Sequence, residues 1–326
     1  MTKMKTIGVF TSGGDSPGMN ACIRAVVRTA IYEGLRVVGI MRGYEGMIDA
    51  DFIEMNSGSV SDIIHRGGTI LKTARSARFR TVEGRVKAAE NLRRFGIDGV
   101  VAIGGDGTCT GARIFHEEHG IPFVATPGTI DNDLFGTDYT IGYDTALNTA
   151  VNAIDKIRDT AASHNRLFFV EVMGRDAGFI ALNSGIAGGA EAVLIPETKT
   201  DLDALIQLLE TGWSRKKTSS IIVVSEGDEA GGAFAIADKV KARLSHFDTR
   251  VTVLGHIQRG GTPTCMDRVQ ASELGHAAVK ALLAGKFNIM FGKMKGEISE
   301  TPFDLAIKQH NPMNPNLLEL VKVLSI

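Results

Sequence analysis

Much that would quickly assign a chain of 326 residues is missing from this one. Cysteine is scarce. Cys22, Cys109 and Cys265 are an odd, widely spaced set with no CxxC pair, which argues against a disulfide framework and a zinc site and fits free thiols in a reducing compartment. No apolar run approaches the roughly 18 residues that span a bilayer, and the run in the N-terminal MTKMKTIGVFTSGG is too short for a signal peptide; the expected location is the cytoplasm. Charge is balanced at a formal net of -1, so neither nucleic acid nor a membrane is the expected partner and any phosphate site must be local. There is no Pro/Gly/Ser-rich linker, low-complexity tract or repeat. Two familiar nucleotide signatures are also absent: no GxxxxGK[ST] loop occurs, and no GxGxxG follows the first candidate strand.

What is present is an ordinary globular composition, 44% apolar and 22% charged. The length exceeds what one core usually holds, so two lobes are expected, with a boundary near residue 140. Short Val- and Ile-rich runs (TIGVF, RVVGIM, DGVVAIGG, IPFVATPG, RLFFVEVMG, EAVLIPE, SSIIVVSEG, TRVTVLG) alternate with segments of helical period at 17–33, 82–94, 145–161 and 201–209. Runs apolar on both faces indicate parallel strands, and the repeated βαβ pattern predicts a doubly wound α/β fold.

In such sheets ligands bind beyond the carboxyl ends of strands, where loops and helix N-termini present free N–H groups. Glycine-rich turns stand at three of these ends. In TSGGDSPGMN, Gly13 and Gly14 allow a phosphate close to the backbone and Pro17 is expected to start the helix; a plain strand-to-helix turn reads equally well. In IGGDGTCTGA, glycines 104, 105, 107 and 111 surround Asp106. That carboxylate suits Mg²⁺ shared with phosphate oxygens, or a cap on the following helix. In TPGTIDND, Asp131 and Asp133 would face the same crevice, where one carboxylate can take a hydroxyl proton and the other orient the acceptor, although Asp and Asn are also common turn formers. Basic residues recur at Arg75, Arg78, Arg80, Arg166, Arg175, Arg250, His256 and Arg259. Strand alternation would put Arg250 and His256 on one face, suited to a phosphate monoester; Arg78 and Arg80 read as a solvated edge.

Taken in order, TSGGDSPGMN, GGDGT, PGTIDND, SHNR, VEVMGR, AGGAE and VLGHIQRGG resemble the ATP-dependent 6-phosphofructokinases of the short bacterial type across nearly the whole chain. The resemblance implies two Rossmann-like lobes: an ATP-binding one at 1–140 plus about 255–303, and a sugar-phosphate-binding one at about 141–254 plus 304–326. It further implies a homotetramer and transfer of the ATP γ-phosphoryl group to the 1-hydroxyl of fructose 6-phosphate with Mg²⁺. On that pattern Asp131 is the base, with Thr129 and Asp133 beside it, and Gly14 and Arg75 stabilise the transferring group. Ser76, Gly105, Asp106, Gly107, Thr108 and Gly111 hold ATP and its metal. Met173, Gly174, Arg175, Glu226, His256 and Arg259 match the sugar-phosphate pocket, which Arg166 and Arg250 would reach from a neighbouring subunit.

The resemblance also implies an ADP or phosphoenolpyruvate effector site from Arg24, Arg28, Asp62, Arg158, Gly189, Glu191, Arg215 and Lys217. The sequence departs from the family there: Ser57 replaces an Arg of some members, and SRKKTSS is one residue longer than usual. Asn288–Phe303 departs too, and carries no functional reading. Pyrophosphate users of the family typically carry Asp and Lys where this chain has Gly107 and Gly128, which points to ATP. The competing readings are another GGDGT kinase acting on NAD or diacylglycerol, against which GHIQRGG and PGTIDND speak, and a catalytically dead sugar-phosphate or nucleotide sensor, against which the acid at 131 speaks.

Overall fold

The computed structural model describes residues 4–164, 166–215 and 219–325. They form two compact units, one from Met1–Ile130, Leu134–Thr145 and Arg259–Asn311, the other from Asp131–Asp133, Ala146–Gln258 and Pro312–Ile326.

The first unit is built on strands β1 (Thr6–Thr11), β2 (Arg36–Ile40), β3 (Phe52–Met55), β4 (Gly99–Gly104), β5 (Phe123–Pro127), β10 (Ile289–Met294) and β11 (Glu297–Pro302). They lie in the order β11-β10-β5-β4-β1-β2-β3, parallel except for β3 and β11 at the two edges. Both faces are covered because successive side chains of an inner strand point to opposite sides. Ile7, Val9, Val101 and Ile103 join one core with α1 (Met19–Tyr32) and α9 (Cys265–Leu283). Phe10, Val100 and Ala102 join the other with α2 (Gly43–Asp49), α3 (Val82–Arg94), α4 (Asp106–His119) and α10 (Phe303–Lys308). Capping sets several helix starts: Thr81 accepts from Gly84 N before α3, and Thr264 from Asp267 N before α9.

In the second unit four parallel strands, β6 (Arg166–Val172), β7 (Ala192–Leu194), β8 (Ser220–Ser225) and β9 (Asp248–Val253), lie in the order β7-β8-β6-β9. One face packs Leu167, Phe169, Ile222 and Val224 on α7 (Leu202–Ser214) and α8 (Ala233–Arg243). The helices α6 (Phe179–Ala187) and α11 (Pro315–Leu324) also belong to this unit, and α5 (Tyr143–His164) begins in the first and continues in the second. Two doubly wound, largely parallel α/β units are what the alternating runs predict. No helix among the described residues is long and apolar enough to cross a membrane.

Two local expectations need correction. Pro17 does not start α1: Gly18, at φ 104, precedes the first helical residue, Met19. Arg250 and His256 do not share a strand face, because β9 ends at Val253 and Gly255 (φ 54) opens a 3₁₀ turn, Gly255–Arg259, that carries His256. Asn288–Phe303 forms an antiparallel hairpin closed by Lys295 and Gly296, both at positive φ, the backbone a two-residue turn requires.

Candidate active site

All three glycine turns stand at the carboxyl ends of adjacent strands. Strand β4 lies between β1 and β5, with Thr11 paired to Ile103 and Gly104 to Pro127, and the chain passes from β1 to β2 on the far side, so β1 and β4 flank the topological switch point. Backbone bonds lock the turns together: Ser12 N donates to Ile103 O at 3.0 Å and Gly128 N to Gly104 O at 3.0 Å.

Glycine is needed here for different reasons at different positions. A Cβ on Gly104 would lie 2.3 Å from Thr108 Oγ1, and one on Gly111 3.0 Å from the Tyr44 ring, whereas one on Gly107 would meet nothing within 4 Å. Gly13, at φ 87, is equally open. Gly105 occupies the cap of α4 and Asp106 its first turn, so Asp106 is not the cap, and its charge sits where the helix dipole favours an anion. Thr129, mostly buried, would be 3.7 Å from a Cβ on Gly105. Arg75 and Ser76 lie on the loop before α3. Thr73 Oγ1 anchors this loop by donating to Gly13 O at 2.7 Å, and the Ser76 hydroxyl donates to Glu45, which also pairs with Arg78 at 2.6 Å. Arg259 covers Gly14 and donates to Asp15 O at 3.2 Å. Arg24 and Arg28 are one turn apart on α1, and Asp62 sits at φ 54.

In the second unit Asp131, 3% exposed, has Arg175 Nη2 3.8 Å from its Oδ2. Arg175 is held at φ 54, a strained angle for a non-glycine residue. Glu226 Oε1 fixes that turn, accepting from Gly174 N at 3.3 Å and Arg175 N at 2.9 Å, while Met173 N donates to Gln258. Asp133 follows Asp131 in the same short segment. Arg166 and Arg250 stand on the neighbouring strands β6 and β9 and share Asp248: Arg166 Nε donates to it at 2.7 Å and Arg250 Nη2 lies 2.9 Å from it. The Arg166 guanidinium, with Arg250 beyond it, holds the Asp248 carboxyl below its ordinary range. Arg158 donates to the carbonyls of Gly188 and Gly189, Glu191 is buried and accepts from Ile221 N, and Arg215 ends α7. Lys217 lies outside the described residues. Tyr44, Glu45, Asp248 and Gln258 are supporting residues that sequence reasoning missed; only Asp248, two residues before Arg250 on one strand face, had a local signal. Among the described residues no group of three or more His, Cys, Asp or Glu side chains could hold a metal.

Adjacent parallel strands that end in three glycine turns, one opening a helix with an acidic first residue, define an α/β protein of the phosphate-handling class. The chain belongs to the phosphofructokinase family, which it matches over residues 6–282. It is 56% identical over 326 residues to ATP-dependent 6-phosphofructokinase 2 of Bacteroides thetaiotaomicron, covering 100% of both chains. To ATP-dependent 6-phosphofructokinase 1 of Thermus thermophilus it is 57% identical over 323 residues, covering 99% of this chain and 100% of that one. Its fold is similar to the solved phosphofructokinase of Saccharomyces cerevisiae, with TM-score 0.88 and 39% identity over 93% of this chain, which spans 45% of the yeast chain. The family match sets aside the NAD and diacylglycerol kinase readings.

Proposed function

We propose that this protein is an ATP-dependent 6-phosphofructokinase that phosphorylates the 1-hydroxyl of fructose 6-phosphate to give fructose 1,6-bisphosphate, a step of glycolysis, in the cytoplasm. The observation that carries the reading is the set of three glycine turns on β1, β4 and β5; the names of full-length relatives support the donor and acceptor.

The 1-hydroxyl oxygen attacks the γ-phosphorus as the bond to the β,γ-bridging oxygen breaks, ADP leaves, and the hydroxyl proton passes to Asp131. Thr129 and Asp133 orient the acceptor. Gly14, Arg75 and Arg175 meet the charge on the transferring group, a preorganised contribution that does most of the work. Gly105, Gly107, Thr108 and Gly111 hold the nucleotide with Ser76. Asp106, one carboxylate at an open helix start, fits Mg²⁺ bound chiefly through phosphate oxygens, and the ion would neutralise charge on the β- and γ-phosphates. Met173, Gly174, Glu226, His256 and Arg259 form the sugar-phosphate pocket.

Arg166 and Arg250 serve a neighbouring subunit of a homotetramer, and their joint grip on Asp248 supports a paired role. An ADP or phosphoenolpyruvate effector would be held by Arg24, Arg28, Asp62, Arg158, Gly189, Glu191, Arg215 and Lys217. A coupled assay with ATP and fructose 6-phosphate tests the activity against the sensor reading. Asp131→Asn keeps volume and removes the proton acceptor, so turnover should fall roughly 10²- to 10⁴-fold with both substrate affinities little changed; most of the turnover surviving, with chemistry rate-limiting, refutes the base assignment.

A further inference from the structure

Among the described residues of the first unit, Asp267, 2% exposed in the first turn of α9, is the one buried carboxylate that the phosphoryl transfer leaves unused. Its oxygens accept from Gly142 N at 2.7 Å, Thr145 N at 2.8 Å and Thr145 Oγ1 at 2.5 Å. The two amides stand at the opening of α5, where backbone N–H groups have no partner within the helix. The cluster is closed by Thr264, whose N donates to Thr145 Oγ1 at 3.1 Å and whose hydroxyl donates to Asp144 at 2.6 Å. One turn further along α9, Gln270 donates to Tyr139 O.

What Asp267 holds is the segment that returns alongside the end of β5. Ile141 N donates to Pro127 O at 2.8 Å, and Thr140 Oγ1 donates to Thr129 O at 2.6 Å. Gly142, at φ 103, presses on the first glycine turn so closely that a Cβ there would lie 2.6 Å from Ser16 Cβ. Hydrogen bonds and the intervening backbone therefore lead from Asp267 through residues 140–145 to the backbone of Thr129, two residues before Asp131. We propose that Asp267 is a positioning residue for phosphoryl transfer: it fixes the start of α5 and, through Thr140 and Ile141, the strand end that sets Thr129 and the residues after it. The proposal rests on the reading of Asp131 as the base. A carboxylate suits the place because three donors converge on it, and an amide would turn its own N–H groups toward one of them.

The test is single-turnover phosphoryl transfer with Asp267→Asn, Thr145→Val and Thr145→Ser, beside Asp131→Asn. Asp267→Asn should fold, bind ATP and fructose 6-phosphate with nearly unchanged affinity, and transfer the phosphoryl group roughly 10- to 100-fold more slowly, the size expected when reacting groups are misplaced from a distance. Thr145→Val, which loses only the hydroxyl, should slow the step less, and Thr145→Ser should restore it. A wild-type transfer rate in a folded Asp267→Asn, or a loss confined to substrate affinity, overturns the proposal. If Asp267→Asn does not fold, the Thr145 pair decides: equal rates for Val and Ser overturn it, and a slow Val with a restored Ser supports it. Turnover surviving in Asp131→Asn would instead sink the base assignment, so the two failures are distinct.

Discussion

Gly104 and Gly107 stand three residues apart in one turn, and their missing side chains have different causes. At Gly104 a Cβ would fall 2.3 Å from Thr108 Oγ1 and 2.6 Å from Ser12 O, so alanine overpacks the turn and costs about 1–3 kcal/mol or more. At Gly107 a Cβ meets nothing within 4 Å, and the residue is the second of α4. Alanine there is the better helix former by up to about 1 kcal/mol. Gly107→Ala is therefore expected to melt roughly 1–3 °C higher without ligand. The same methyl fills the space beside the amides that open the helix. Loss of one charge-assisted phosphate contact costs about 1.5–3 kcal/mol, which raises the KM for ATP about 10- to 150-fold. The KM for fructose 6-phosphate should hardly move. Calorimetry of the free protein and initial rates at varied ATP read the two effects separately. A variant that melts higher and keeps the wild-type KM for ATP would show that the open space is not the nucleotide's. Gly104→Ala with unchanged melting and weak ATP binding would reverse the assignment.

Pyrophosphate with Mg²⁺ should not replace ATP, and comparable turnover with both donors contradicts this; here only Gly107 is the open position, since a Cβ on Gly128 would press on Ile103, Met19 and Gly104 N at 3.0–3.3 Å. Arg166→Ala or Arg250→Ala should chiefly weaken fructose 6-phosphate binding, by about 1.5–3 kcal/mol. Mixing Arg250→Ala chains with Asp131→Asn chains should restore activity through hybrid sites; verified hybrid tetramers without recovery end the assembled-site reading. Burial pushes the Asp267 carboxyl up to about 6 from its ordinary 3.8, against the opposing bonds from Thr145 and Gly142. A value raised on folding gives a stability contribution that is full below about pH 4 and lost as pH rises through about 6. Relative to Asp267→Asn, the wild type should therefore gain about 2 kcal/mol between pH 7.5 and 4.5. Urea titrations at both pH values check this, and an unchanged difference refutes the assigned ionisation.

Most of the strands legible in the sequence are apolar on both faces, while β7 and β9, with no buried position, were legible through their Val-containing runs. TIGVF and GVVAIG are buried at every position of β1 and β4, so their composition alone betrays them. Phe52–Met55 escaped notice because only Met55 is buried, and β11 because it exposes most of its length and carries Glu297, Ser299 and Glu300; these two edge strands of the first sheet lack the apolar signal that β1 and β4 carry. The glycine turns were legible because each follows an apolar run directly. Period 2 failed between Arg250 and His256 because it holds only while the strand continues, and Gly255 ends it. Glu45, Gln258 and Asp267 could not be found, since each acts on residues at least 31 positions away, and only the fold supplies that proximity.

The hairpin of β10 and β11 divides the first unit into a working interior and a replaceable rim. Its turn, Lys295 and Gly296, is exposed, and besides the two strands it joins Lys295 N donates to the Asp138 carboxylate at 2.6 Å. Extra chain spliced there adds closure entropy that grows only slowly, about 0.6 kcal/mol per doubling of length, and displaces none of the glycine turns at β1, β4 and β5. New termini, an affinity handle or a whole inserted domain thus have a natural point of entry at this corner, where chain length can drift while the chemistry stays fixed.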